Sequence, residues 1–417
     1  MWRYILPILI SVGLGAQTVK VGYGYSTEHD VKTAVKKAVA DMTKAIGEEP
    51  DWVMVVSTVL YDSDALIKEL SSQLKKAKIY GETSCLGVVV PDGFITGEKG
   101  ALAVLGVKSD KITFGVGYAE IGTNPRDAGK KAVKAAIADA GKTIKEKPKI
   151  ILMCATPGEE EDILAGIAEV VGKDVPVYGG SAADNDISGK WKVFARNKAL
   201  SKGVVLTVVY TDLKIGHAYA SGYVGTGKKG VVTKAEARRI YEIDGKPCAD
   251  VFNEWTGGKY TEAIKKCEVI LGPASFTPLA RRFMVGKEEK WVSIHPHKFY
   301  EDKSLSVFAK VNTGDTLYLI EGSPEILLER PKPLVKKALL KGGIKTEDVA
   351  FGIFIYCAGT MLAIKDKFPE IPGAIKTLLG GKPFIGACTF GEQGQVSPAY
   401  GNFHGNLMCS MTIFGAK

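Results

Sequence analysis

The sequence has no Cys-x-x-Cys pair, no Asn with Ser or Thr two places on, and no run of five like charges. Past its first residues it also has no apolar stretch long enough to span a bilayer. These absences exclude a structural zinc knuckle, an N-glycosylated surface and a polyelectrolyte tail. They also exclude a membrane span in the mature chain, which would need about 20 apolar residues. No His pair at i, i+4 and no H-E-x-x-H run occurs, so no metal is expected, and nothing in the chain asks for a cofactor. "GTGKKG" is not followed by the Ser or Thr of a phosphate loop, and "GYGYS" lacks the third Gly of a dinucleotide fingerprint. The seven cysteines, Cys85, Cys154, Cys248, Cys267, Cys357, Cys388 and Cys409, are odd in number and widely spaced, which rules out a disulfide framework. Within runs such as "IILMCA" and "FIYCAG" they read as small buried hydrophobes.

What is present describes a globular protein. The 417 residues exceed one ordinary core and suit two or three domains, with 46% hydrophobic and 24% charged residues. Lys and Arg outnumber Asp and Glu by 55 to 46. That excess is dispersed and has no aromatic–basic motif beside it, so it reads as a solvated surface and not as a nucleic-acid site. The first residues, "MWRYILPILISVGLGAQ", place Arg3 before an apolar stretch from Tyr4 to Leu14, with small Gly15 and Ala16 after it. This is the layout of a secretory signal peptide over residues 1–16, and cleavage after Ala16 implies a secretory or extracytoplasmic mature chain. The competing reading is an N-terminal strand or buried helix, with a cytoplasmic protein.

One unit is written more than once. "VKVGYGYSTEHDVKTAVKKAVADM" and "FGVGYAEIGTNPRDAGKKAVKAAIADA" are each a Gly/Tyr strand, a polar turn and an Ala/Lys-rich amphipathic helix. The apolar strands "DWVMVVST" and "PKIILMCAT" follow, each leading into a helix with acidic residues near its start. Then come "KIYGETSCLG" and "VPVYGGSAADN", and after each a pair of long strands. A looser third copy begins at "GDTLYLIEGSPEILLERPKPLVKK" and ends in "KPFIGACTFGEQG" and "GNLMCSMTIFG", with Gly386 in the place of Gly81 and Gly179. Alternating strands and helices predict an α/β protein of repeated strand–helix units, in which mixed sheets carry helices on their faces. We read two domains, 17–230 with two copies and 231–417 with one elaborated copy. Locally, "TPGEEEDILAGIAEVVG" predicts a helix with Thr156 at N-cap, Pro157 at N1, Glu159 at N3 and Gly172 at its end.

Each unit's Gly loop starts where a buried strand ends, and in open α/β sheets ligands sit at the carboxyl ends of strands. Glycine admits close backbone approach, and Ser/Thr hydroxyls can orient a compact polar molecule. The loops serve equally as sharp turns. Ser181, Asp184 and Asn185 cluster in the second loop, where Asp184-Asn185 also fits an Asx turn. Glu392, Gln393, Asn402, His404 and Asn406 cluster in the third. Cys388 near His404 and Glu392, or Ser181, offers the nucleophile of an alternative hydrolase or transferase function. "HPH" at His295 and His297 reads as a solvated loop, and Arg281-Arg282 as a surface pair.

"TPGEEEDILAGI", "DVPVYGGSAADNDISGKWKVF" and "GEQGQVSPAYGNFHGNLM" together resemble the FIST family, in which a FIST N domain precedes a FIST C domain. The resemblance runs from about Val19 to the C-terminus. It implies a sensory module that binds a small polar ligand, with amino acids proposed for the family. No catalytic residue is implied, and with no kinase, cyclase or receiver module attached the output would pass through a protein partner. The matched positions are Gly179, Gly180, Ser181, Asp184 and Asn185, then Gly391, Glu392, Asn402, His404 and Asn406. Where many relatives carry a Cys-x-Gly-Arg element this chain reads "CAGTM" and so lacks that guanidinium.

Overall fold

Strands apolar on both faces dominate, because each sheet is covered on one side by helices and on the other by its fellow sheets. The computed structural model describes residues 19–417, and the signal-peptide reading at 1–16 lies outside them. The first unit comprises β1 (Val19–Ser26), α1 (Val31–Ile46), β2 (Trp52–Ser57), α2 (Ser63–Gln73), β3 (Lys78–Thr83), the hairpin β4 (Val88–Val90) and β5 (Gly93–Ile95), and β6 (Leu102–Ser109). The second repeats it as β7 (Ile112–Glu120), α3 (Pro125–Asp139), β8 (Ile150–Ala155), α4 (Glu160–Val171), β9 (Val177–Ser181), the hairpin β10 (Val193–Ala195) and β11 (Lys198–Leu200), and β12 (Gly203–Thr211).

The third unit opens with β13 (Ile215–Ala220) and is then interrupted. The insertion holds strands β14 (Val224–Glu236), β15 (Arg239–Ile243) and β16 (Lys246–Pro247), helices α5 (Cys248–Trp255), α6 (Thr261–Lys265) and α7 (Leu271–Ala274), then β17 (Leu279–Val285), β18 (Glu288–Ile294), β19 (Pro296–Phe299), β20 (Leu305–Val307) and β21 (Thr316–Glu321). These strands form one eight-stranded sheet around a core of its own that includes Phe252, Phe299 and Leu317. The unit resumes with α8 (Pro324–Glu329), α9 (Pro331–Gly342), β22 (Val349–Cys357), α10 (Ala358–Ala363), α11 (Glu370–Leu378), β23 (Phe384–Thr389), the hairpin β24 (Glu392–Ser397) and β25 (Gly401–Gly405), and β26 (Cys409–Gly415).

The expected α/β architecture is present, with sheets more interwoven than the repeats suggest. Their orders are β1-β6-β2-β3-β10-β11, β7-β12-β8-β9-β24-β25 and β13-β26-β22-β23-β4-β5. In each, one parallel pair (β2/β3, β8/β9 or β22/β23) is flanked by antiparallel strands. In each, too, the terminal hairpin comes from a different unit. β4–β5 of the first joins β23 of the third, β10–β11 of the second joins β3 of the first, and β24–β25 of the third joins β9 of the second. The exchange is cyclic and closes after three steps, so no unit completes its sheet alone. The sheets pack face to face around a shared core with Trp52, Met54, Leu152, Tyr178, Ile353 and Phe414, where Trp52 stacks on Phe114 at 4.9 Å.

Two details differ from expectation. The strand at "GDTLYLIE" is β21 of the inserted sheet, and the third unit's first strand is β13, far upstream. Both are short, Gly-flanked apolar runs, and only hydrogen-bond partners tell them apart. The helix expected to start at Thr156 starts at Glu160, with Glu159 at N-cap and no side-chain cap. Thr156 instead exchanges bonds with Gly203 of β12, its Oγ1 accepting from the Gly203 N–H at 3.1 Å, so it finishes the sheet and does not begin the helix. Gly172 does close that helix. Elsewhere the caps follow sequence: Asp30 accepts from Thr33 N–H at 2.8 Å and Gly47 ends α1 at φ 87°. Among the described residues, no helix is long and apolar enough to cross a membrane.

Candidate functional site

The loops that leave the carboxyl ends of the paired strands meet beneath the inserted sheet and enclose a cavity of about 370 Å³. Cys85 follows β3, Pro157 follows β8, and Asn185, Asp186, Ile187 and Trp191 follow β9. Cys357, Gly359, Leu362 and Ala363 come from the end of β22 and from α10, with Phe390 and Asn406 from the loops after β23 and β25. The insertion supplies Arg238, Leu271, Gly272, Ser275, His295 and Phe308. All three units and the insertion contribute, so the cavity exists only in the assembled fold. Ile187 and Leu362 stand at its mouth, 52% and 47% exposed.

Behind the cavity runs a buried chain of hydrogen bonds. Ser181 Oγ donates to Glu160 Oε1 at 2.7 Å, and Gln393 Nε2 donates to Ser181 Oγ at 3.1 Å and lies 3.2 Å from His404 Nδ1. A carbonyl can only accept, so His404 Nε2 carries a proton and donates it to the Phe308 carbonyl at 3.3 Å. Asn406 Nδ2 lies 3.4 Å from that same carbonyl, and its Oδ1 accepts from His295 N–H at 3.2 Å. At the other end Arg238 Nη2 bonds Glu160 Oε2 at 2.7 Å and Glu161 Oε2 at 2.8 Å, so the insertion is ion-paired to the start of α4. Burial would push the Glu160 carboxyl up, but His404, Arg238 and the Ser181 hydroxyl outweigh it and hold it well below the usual carboxylate range. His295 Nε2 donates to the Leu271 carbonyl at 2.9 Å, and burial lowers this imidazole to about 4, so it is neutral at physiological pH.

The residues singled out in the sequence have distinct places. Asn185 and Asn406 line the cavity. Ser181 and His404 belong to the network behind it. Asp184 nucleates the expected Asx turn, its Oδ1 accepting from Ile187 N–H at 2.6 Å and its Oδ2 from Lys190 N–H at 2.9 Å. This turn holds Ile187 at φ 58°, a conformation costly for a β-branched residue. Asn402 ties β25 to the start of β9 and the chain just before it, accepting from Val177 N–H at 2.8 Å and donating to the Val175 carbonyl at 2.9 Å. Gly179 and Gly180 are contact points between strands, and a side-chain carbon at Gly391 would lie 2.3 Å from the His404 ring. Cys388, Ser181 and Glu392 are fully buried, and His404 bonds Gln393 and the Phe308 carbonyl, with Cys388 absent from its partners.

Glu392 and Glu82 share an unusual environment. Glu392 accepts from Thr389 Oγ1 and Met408 N–H, both at 2.8 Å, while both Glu82 oxygens are buried with no hydrogen-bond partner among the described residues. Burial pushes each carboxyl up to about 8, and Glu392 adds to the rise at Glu82. The folded state therefore keeps a proton at Glu82 that the unfolded chain gives up near its ordinary pKa. Stability from this site is full below the ordinary carboxylate range and falls as pH rises through about 8. Glu82→Gln is expected to leave the melting temperature nearly unchanged near pH 4 and to stabilise by about 4–5 kcal/mol at pH 9. Melts of both proteins across that range test this, and parallel curves would disprove it.

Sequence reasoning missed the contribution of the insertion. His295, read as part of a solvated loop, is buried and lines the cavity because its ring bonds the Leu271 carbonyl at the start of α7. Arg238 and Phe308 carried no motif at all. Arg281, read as part of a surface pair, pairs with Asp315 at 2.8 Å.

Comparison with known proteins assigns a family. The FIST N domain matches residues 51–246 and the FIST C domain residues 249–395. An uncharacterized protein of Methanocaldococcus jannaschii is 36% identical over 83 residues, a match covering 19% of this chain and 16% of that protein. Among solved structures, a cyanuric acid hydrolase from A. caulinodans aligns over 95% of this chain and 99% of its own at 9% identity and a TM-score of 0.40. Thermotoga maritima PurL bound to ADP aligns over 95% and 71% at 9% identity and a TM-score of 0.23. With both domain patterns matched in order over most of its length, the chain belongs to the FIST family.

Proposed function

We propose that this protein is a sensor that holds a small ligand in the cavity between its three repeated units and the inserted sheet, and that it signals occupancy to a protein partner. FIST domains are associated with sensory signalling, which supports the first part. The observation that carries the second is the composition of the cavity wall. Residues from all three units and the insertion face one space, so a ligand there touches every part of the molecule at once. The Arg238 ion pairs with Glu160 and Glu161 and the bond from the His295 N–H to Asn406 Oδ1 cross the same boundary. A ligand that alters how the insertion seats on the units would therefore alter the outer surface that a partner reads. Ile187, held at positive φ at the cavity mouth, fits the strain that binding sites retain.

The test is a thermal-shift screen of the twenty amino acids and a set of small aromatic amides, run on the protein and on Leu362→Trp. Leu362 is half-exposed at the mouth, so a larger ring obstructs the cavity at little cost to the fold. At least one compound at high excess is expected to raise the melting temperature by about 3 °C in the unsubstituted protein, and Leu362→Trp is expected to remove that rise. A flat screen, or an equal response in the variant, would refute the proposal.

A further inference from the structure

We infer that the ligand taken by this cavity is an uncharged molecule with an aromatic or branched apolar body and one hydrogen-bonding edge, and not a zwitterionic amino acid. The inference rests on the cavity being the ligand site, and it names the chemistry of what enters.

Charge is the first argument. Two ionised side chains face the cavity. Asp186 is exposed at the rim and would repel an incoming carboxylate. Arg238 already serves two carboxylates, Glu160 and Glu161, and the neighbouring Asp162 is matched by Lys310 at 3.2 Å. A ligand carboxylate drawn to Arg238 would be the third anion for one guanidinium. The His295 imidazole is neutral, and burial holds the Cys85 and Cys357 thiols above their usual range, so neither supplies a countercharge. An amino acid entering here would lose the hydration of both its charged groups and bring its carboxylate beside two carboxylates balanced by one guanidinium, a penalty an uncharged molecule avoids.

The walls and their spare hydrogen-bonding atoms are the second argument. Trp191 and Phe390 meet edge to face at 6.0 Å, and Phe308, Leu271 and Ile187 extend the same apolar lining. Such surfaces hold rings and branched chains and offer little to a compact polar solute. Two uncharged polar side chains of the lining keep an atom with no partner among the described residues. Asn185 accepts from Leu86 N–H through Oδ1, which leaves its Nδ2 as a donor. His295 donates through Nε2, which leaves its Nδ1 as an acceptor. One donor and one acceptor suit the carbonyl and N–H of an amide, which carries both without charge.

A single-ring series separates the possibilities. Phenylacetamide, phenylacetate, phenethylamine and phenylalanine share a phenyl group and differ in charge, and calorimetric titration gives the affinity of each. Phenylacetamide is expected to bind at least tenfold more tightly than any charged analogue, and Leu362→Trp is expected to weaken it at least tenfold. Glu161→Gln removes one of the two carboxylates at Arg238 Nη2 and is expected to raise phenylacetate affinity at least fivefold, with phenylacetamide unchanged. If a charged analogue binds as tightly as phenylacetamide and Leu362→Trp still blocks it, the neutral-ligand inference fails while the cavity stands as the site. If no analogue binds, or binding ignores Leu362→Trp, the cavity itself is not the site and the inference falls with it.

Discussion

Gly179→Ala is expected to leave little folded protein, although it adds a single methyl group. A side-chain carbon at Gly179 would sit 1.8 Å from the Met153 carbonyl oxygen, 2.7 Å from its carbon and 3.0 Å from its nitrogen. All three atoms are backbone of β8, the parallel partner of β9, so no rotamer change can relieve the clash. The strands would have to part at the centre of the second sheet, which the third unit's hairpin also completes. We expect a loss of more than about 4 kcal/mol, in the range reserved for severe core disruption, read as insoluble protein or a melting temperature lower by about 10 °C or more. Gly81 and Gly386 occupy the same place, 1.9 Å and 2.6 Å from the carbonyls of Val55 and Phe354, and Gly81→Ala should behave alike. Gly373→Ala is the contrasting control. It lies in α11 with open space around it, so removing backbone freedom should stabilise by about 0.5–1 kcal/mol. Normal folding of Gly179→Ala would show that the strand contact is not what selects glycine there.

Arg330→Met is the second large effect expected. Arg330 is buried at the junction of α8 and α9, and no carboxylate among the described residues pairs with it. Its Nη1 donates to the Ser221 carbonyl at 2.7 Å and the Leu407 carbonyl at 2.6 Å, its Nη2 donates to Thr360 Oγ1 at 2.6 Å, and its guanidinium lies 4.4 Å from the centre of the Tyr356 ring. It thereby joins the chain after β13, the turn before β26 and the helix α10 that borders the cavity. Methionine fills similar volume and donates nothing, so the carbonyls are stranded without water. Orphaning several buried acceptors at once is expected to cost about 3–5 kcal/mol, measured as a lower urea midpoint. Arg330→Lys keeps the charge but replaces a rigid fork with a point donor, and should recover less than half of the loss. A midpoint shift below about 1 kcal/mol for Arg330→Met would mean that these bonds are replaceable.

These two residues differ in how visible they were. Gly179 stood out because the same strand–Gly pattern recurs at Gly81 and Gly386, and the reason for it is local to a strand pair. Arg330 sits in "LLERPKP", a polar stretch with no motif, because its partners come from segments up to 109 residues away. His295 shows the same limit. Its neighbours in sequence suggest solvent, and the carbonyl that anchors it belongs to α7. Glu160 was read correctly as part of an acidic helix start, yet its Arg238 partner lies in another part of the fold.

The order of apolar runs, glycine turns and amphipathic helices was enough to determine the α/β class, the threefold recurrence of the unit and most strand ends, because those depend on side-chain periodicity within a few residues. The cyclic exchange of hairpins, the separation of β13 from its own unit by an inserted sheet, and the cavity beneath that sheet were decided by tertiary structure alone. Strand edges are chemically alike along the backbone, so pairing is selected by what packs above and below each sheet. No local stretch of residues encodes that choice.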